Sequence, residues 1–163
     1  MAYDIVNPII GAQPIADTST VQNHPLGTIV SAVDPTLGAG EFVYLVGVAS
    51  TVLGSFVTYN ASDNSTNLLA ANAIGPVGVA MSINVASQYG WYQISGKAVG
   101  KALAGFADNG NVYATATAGS IDDAIVAGDR VKLAKGASAV DTPSTGLAYF
   151  EISRPFMDDA LAA

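Results

Sequence analysis

The chain has 163 residues, half of them hydrophobic and only 12% charged, with a net charge of −7 and no cysteine. The missing thiols exclude disulfides, thiolate catalysis, iron-sulfur clusters and cysteine-ligated zinc, and the length suits one domain, or one domain with an arm, without covalent staples. All six basic residues, Lys97, Lys101, Arg130, Lys132, Lys135 and Arg154, follow Gly96; nucleic acid is held by Lys and Arg that neutralise phosphates, so no nucleic-acid partner is expected.

Mean hydropathy is +0.39, yet the most apolar stretch, Phe42 to Val57, is interrupted by Gly47, Ser50, Thr51, Gly54 and Ser55. A spanning helix needs about 20 predominantly apolar residues, so no membrane partner is expected either. The opening MAYDIVNPII has no basic residue and reaches Pro8 at once, unlike a secretory signal. The chain is expected to act where it is made, or inside an assembly.

Residues 1–27 set Pro8, Pro14 and Pro25 among Asn, Gln, Thr and scattered apolar residues, with neither helical nor two-residue periodicity. Proline fixes φ and removes a donor, so this segment reads as an extended arm, ordered only where it lies against something. Residues 28–157 read as a β-domain and 158–163 as a short tail. Within the domain, β-like runs recur between Gly and Asn/Asp turns: Thr28 to Val33, Phe42 to Val48, Gly54 to Tyr59, Gly75 to Met81, Gly90 to Ser95, Ala98 to Leu103, Val112 to Thr117, Arg130 to Ala134 and Leu147 to Ile152. Short strands at such spacing predict an all-β fold, a compact barrel or sandwich. Turns are expected at Leu37 to Gly40, Ser62 to Ser65, Ala107 to Gly110 and Asp141 to Ser144. Asn109-Gly110 suits a hairpin joining Gly105-Phe106 to Val112-Tyr113, because both residues tolerate positive φ.

Alternation with period two places Val131 and Leu133 in the core, with Arg130 and Lys132 in water. It also sets Trp91, Gln93 and Ser95 opposite Tyr92 and Ile94, which leaves Trp91 in a second packed layer or at an interface. Helix is expected only at Asn67 to Asn72 and near Asp158 to Leu161, both too short to be stable alone.

Catalytic and ligand motifs mostly fail on spacing. Gly90 to Lys97 has one residue too many for a phosphate loop, and Ala98 stands where the magnesium hydroxyl belongs. No Gly-x-Gly-x-x-Gly occurs. Asp17-Thr18-Ser19 lacks the glycine of an aspartic-protease loop, and His24, the only imidazole, precedes Pro25 with no Gly-x-Ser-x-Gly elbow elsewhere. Asp122, Asp123 and Asp129 match no calcium-loop spacing, and a solvated loop in which Asp129 or a neighbouring acid pairs with Arg130 is the expected outcome. The sequons at Asn60 and Asn64 read as turns. No enzyme activity, cofactor or metal is expected.

Two stretches carry a resemblance. Gly75-Pro76-Val77-Gly78-Val79-Ala80-Met81 leads into Gln88-Tyr89-Gly90-Trp91-Tyr92-Gln93-Ile94-Ser95-Gly96, and Val140-Asp141-Thr142-Pro143-Ser144-Thr145-Gly146-Leu147-Ala148 leads into Ser153-Arg154-Pro155-Phe156. The pattern, over residues 25–157, resembles the small head-decoration or cement proteins of tailed bacteriophages. The resemblance implies a β-barrel-like or β-tulip domain, usually a homotrimer, assembled in the host cytoplasm. It would be seated on the capsid exterior, stabilising the head by bridging major capsid protein subunits with an extended arm. The length and the regular strands before residue 60 depart from the shortest such proteins.

The physics runs the same way: a stable interface buries about 1,200–2,000 Å² and prefers a core depleted of charge, and Asn64 to Gly96 is formally uncharged. The expected capsid and subunit contacts are the arm residues Tyr3, Ile5, Val6, Ile9, Ile10, Ile15 and His24, with Arg154, Pro155, Phe156 and Met157 at the other end. A carbohydrate- or receptor-binding β-domain on a virion or cell surface is the alternative, with Trp91, Tyr92, Tyr89 or Tyr113 as a stacking platform.

Overall fold

A computed structural model of the chain describes residues 2–7 and 9–159. The strands are β1 (Asp4–Ile5), β2 (Thr18–Ser19), β3 (Ile29–Asp34), β4 (Gly38–Val46), β5 (Phe56–Tyr59), β6 (Thr66–Leu68), β7 (Gly75–Ala80), β8 (Tyr89–Lys101), β9 (Asn111–Ala114), β10 (Ile121–Asp122), β11 (Arg130–Gly136) and β12 (Leu147–Met157). They form one antiparallel sheet in the order β1-β3-β4-β8-β7-β12-β11-β9-β10, with β2 on β8 and the β5-β6 hairpin on β7. The sheet does not close into a barrel. It folds over itself as an all-β, sandwich-like body, and no helix forms among the described residues.

The 13-residue β8 is the pivot. One of its edges pairs with β4 from Tyr89 to Gly96, while the other takes β2 at Tyr89 and Gly90, β7 at Tyr92 and Gln93, and β12 from Ser95 to Lys101. Sequence reading divided this strand at Gly96 and Lys97, because glycine usually weakens a strand. Here Gly96 sits at φ +102, and an added Cβ would lie 2.4 Å from the Ala39 carbonyl oxygen. The glycine therefore lets β8 change partners without ending. A second corner lies at Arg154 (φ 49), beyond which β12 leaves β8 and pairs Phe156 and Met157 with Pro76 and Gly75 of β7.

Both faces of β8 are buried. Trp91 joins Phe42, Tyr44, Val30, Tyr3 and Ile15 on one side, while Tyr92 and Ile94 join Val43, Leu45 and Val57 on the other. Trp91 thus belongs to a second packed layer. A third cluster around Phe56, Phe106, Phe150, Ile121 and Met157 fills the far end. In it Phe150 meets Phe56 edge-on with ring centroids 5.2 Å apart.

Several local expectations are corrected. Asn67 and Leu68, the start of the expected helix, belong to β6, which is bonded to β5, because pairing outweighs a marginal helical propensity. Asp158 and Asp159 are not helical, and residues 160–163 lie outside those described. The turn expected at Leu37 to Gly40 falls earlier, where the Asp34 carboxylate accepts the N–H groups of Thr36 and Leu37 and Gly38 already begins β4. Asn109 takes positive φ in its turn, but β9 pairs with β10 and β11 rather than with Gly105-Phe106. Leu133, expected inside, is 65% exposed, because a bulge between Lys132 and Ala134 puts it at φ 58 and breaks the alternation.

Candidate functional site

The N-terminal segment lies on its own body. β1 pairs with β3, β2 pairs with β8, and Gln13, a residue the sequence did not single out, anchors the stretch between them. Its N–H donates to His24 Nε2 (2.9 Å) and its carbonyl accepts from Trp91 Nε1 (2.9 Å). Its Oε1 accepts from the Tyr44 hydroxyl (2.8 Å) and from Asn23 Nδ2 (2.9 Å). Its Nε2 donates to the carbonyls of Asp17 (2.8 Å) and Tyr89 (3.2 Å). A buried Gln is tolerable when its donors and acceptors are met in this way. The only signal in the sequence was the lone Trp, whose N–H needs an acceptor once buried.

The expected contact residues divide by direction. Tyr3, Ile15 and His24 are buried in the chain's own core, and Ile5 and Ile9 are half-buried against it. The Tyr3 ring meets Phe42 edge-on at 4.8 Å and its hydroxyl donates to the Lys97 carbonyl; burial pushes its pKa up to about 12. Pro155 and Met157 are buried too, Met157 against the Phe56 and Phe150 cluster. Val6, Ile10, Arg154 and Phe156 point outward.

Val6 and Arg154, from opposite ends of the chain, arrive at one face. The register sets Val33 beside Asp4, and the Val6 N–H donates to the Ser31 carbonyl. Ser31 pairs with Glu41, whose carboxylate holds Arg154 Nη2 at 3.2 Å. Adjacent strands are about 4.8 Å apart, so Val6 and Glu41 are separated by roughly 10 Å. Val43 and Leu45 on this face of β4 are packed beneath Val57 and Tyr92, whereas Ile29 and Val33 on β3 stay exposed. The result is an open face on which the exposed side chains of Val6, Ile29 and Val33 stand beside the exposed carboxylate of Asp4 and the paired Glu41 and Arg154.

The carboxylates of Asp34, Asp129 and Asp123 are committed to structure. Asp34 lines a groove of about 430 Å³ with Leu37, Val99, Pro143 and Tyr149. Burial pushes its pKa up, but N–H donors from Leu37, Ala2 and Thr36 outweigh that and hold the carboxyl below its ordinary value. Neither Asp129 nor its neighbours form the expected pair with Arg130: Asp129 accepts the Asn72 N–H (2.7 Å), while Arg130 donates to Asn111 Oδ1. Asp123 accepts the Ala107 N–H. The aromatic platform of the sugar-binding alternative is dismantled: Trp91 and Tyr92 are fully buried, Tyr113 is buried, and half-buried Tyr89 stacks on Tyr44.

No family model matches the chain, and no curated protein or solved structure matches it. Fold and face together define an all-β, sandwich-like protein that carries its N-terminal segment as an added layer and leaves one sheet face open.

Proposed function

We propose that the protein is a structural virion component that binds the outside of a tailed-bacteriophage capsid as a homotrimer and stabilises the head by bridging major capsid protein subunits. The observation that carries this reading is the exposure of Val6, Ile29 and Val33 on one sheet face, bordered by the Glu41 and Arg154 pair. Such a face suits adhesion, since interfaces ring exposed apolar side chains with a polar, charged rim, here Asp4 and the Glu41 and Arg154 pair. The stretches that resemble decoration proteins lie together as well: they form β7, β8 and β12, each hydrogen-bonded to the other two. Weak contacts repeated through a trimer would gain avidity on a lattice of repeated sites.

Deleting the N-terminal segment is a poor test, because Tyr3, Gln13, Ile15 and His24 fill the core. The informative variant is Val6→Asp with Ile29→Asp and Val33→Asp, which charges the open face and leaves the buried layer intact. It should keep the wild-type circular dichroism and lose co-sedimentation with empty shells assembled from a tailed-bacteriophage major capsid protein that the wild type binds. Light scattering should report a trimer for the wild type. Undiminished binding by the folded triple variant, or wild type that binds no tailed-bacteriophage shell, overturns the reading.

A further inference from the structure

The His24 imidazole is held as an acceptor. Its Nε2 takes the Gln13 backbone N–H at 2.9 Å inside a buried seat, and its ring stands edge-on to Tyr44 (centroids 5.1 Å apart) and tilted against Trp91 (5.4 Å). We propose that His24 is a proton-sensitive latch: a proton on Nε2 releases residues 12–24 from the body and uncovers the Tyr44 and Trp91 face.

The chemistry follows from hydrogen-bond bookkeeping. A proton on Nε2 turns the acceptor into a second donor facing the Gln13 N–H, so the bond is lost and two donors are opposed. The same step places a positive charge in a seat walled by rings. The titratable groups around it are Tyr44, whose pKa burial pushes up, Tyr89 stacked behind Tyr44, and Asp17, which meets Gln13 through its main-chain carbonyl. Tyr44 therefore stays a neutral phenol and supplies no counter-charge. The rings, with centroids 5.1 and 5.4 Å away, offer the cation some quadrupole attraction, but they supply no acceptor for the proton on Nε2 in place of the lost bond.

Gln13 links the latch to the rest of the layer. The residue that donates to His24 also accepts from Trp91, Tyr44 and Asn23, so moving Gln13 breaks these contacts together. The break has a natural lower boundary, because past His24 the chain is held again where the Gly27 N–H donates to the Tyr44 carbonyl and Thr28 bonds back to Pro25. Release also separates β2 from Tyr89 and Gly90 and lifts Ile15 out of the core, and it exposes an aromatic face without unfolding β3 and β4. This inference concerns the seam inside one chain and stands whether or not the partner is a capsid.

The sole histidine and the sole tryptophan meet in this seat, which makes the test direct. Wild-type protein is titrated from about pH 8 to about pH 5, where histidine is the side chain that ordinarily changes charge, with Trp emission, acrylamide quenching, far-ultraviolet circular dichroism and limited proteolysis as readouts. Emission should shift to the red, quenching should rise several-fold, cleavage should appear within residues 12–24, and the β signal should persist. His24→Gln, which keeps an acceptor at both pH values, should remove the response. Unchanged wild-type emission and proteolysis across the range overturns the latch, as does an equal response in folded His24→Gln; the wild-type titration decides alone if that variant does not fold.

Discussion

Trp91 and Gln13 stand 78 residues apart in the chain, yet the indole Nε1 donates to the Gln13 carbonyl at 2.9 Å. This bond makes the N-terminal segment a layer of the core. β8 carries large side chains on both faces, and only one face is covered by β5, β6 and β7. Without Tyr3, Gln13, Ile15 and His24, the other would leave Trp91, Tyr44 and Phe42 in water. Apolar faces demand cover, at about 25 cal/mol per Å², and here the cover is the first two dozen residues of the same chain.

Gln13→Ala should therefore cost far more than its place in a proline-rich segment suggests. It leaves the Tyr44 hydroxyl, Asn23 Nδ2 and the Asp17 and Tyr89 carbonyls without their partner while the main-chain bonds to Trp91 and His24 remain. Unmet buried groups cost about 1–3 kcal/mol each where water cannot replace the partner, and a net loss of about 2–3 kcal/mol in urea denaturation is expected. Exposed Val21→Ala, in the same segment, should change stability by less than about 0.5 kcal/mol.

Gly96→Ala should damage the corner of β8. The substitution adds a methyl 2.4 Å from the Ala39 carbonyl oxygen at a φ of +102, a conformation that side chains avoid. Either β4 retreats from β8 or the strand kinks differently. A loss of roughly 2–4 kcal/mol is expected from strain and broken ladder bonds, read as a fall in the denaturation midpoint.

Acid should weaken the Asp34 turn. Its carboxyl titrates below its ordinary value in the folded chain, where N–H donors from Leu37, Ala2 and Thr36 outweigh burial. The carboxylate form is thus favoured by folding. Its contribution is fully present above the unfolded value of about 3.9 and fades as pH drops through the lower folded value. Asp34→Asn should be less stable than wild type at pH 7, with the gap closing in strong acid. A gap that widens on acidification would contradict this assignment.

Much of the β framework was legible because strands announce themselves through short apolar runs and Gly or Asn turns; β3, β7 and β11 lie close to where those signals put them, while β4 begins before Phe42, at Gly38, and β12 runs past Ile152 to Met157. The alternation around Trp91 left a second layer and an interface both open, and the packing against Phe42 and Tyr44 selects the layer. What stayed hidden depended on distant partners. Gly96 reads as a break in isolation, and only the carbonyl of Ala39 across the ladder shows why it is a bend. Tyr3, Ile15 and His24 read as adhesive because their segment has no periodicity, yet their partners Phe42, Tyr44 and Trp91 belong to the same chain. Val6 and Arg154 were both singled out as contacts; that they share a face depends on the register of β1, β3 and β4, which no local pattern contains.

Leu133 and Val131 offer the sharpest contrast between pattern and packing. Period two makes them equivalent, but the bulge leaves Val131 fully buried and Leu133 outside at φ 58. Leu133→Asn should stabilise the protein by up to about 1 kcal/mol, since Asn accepts the left-handed conformation with less strain than Leu and no core contact is lost. Val131→Ala removes two buried methyl groups from the Phe106 and Phe150 cluster and should cost roughly 1.5–3 kcal/mol. Equilibrium urea unfolding of the pair checks both; a large loss from Leu133→Asn would mean that the bulge is absent and the simple alternation holds.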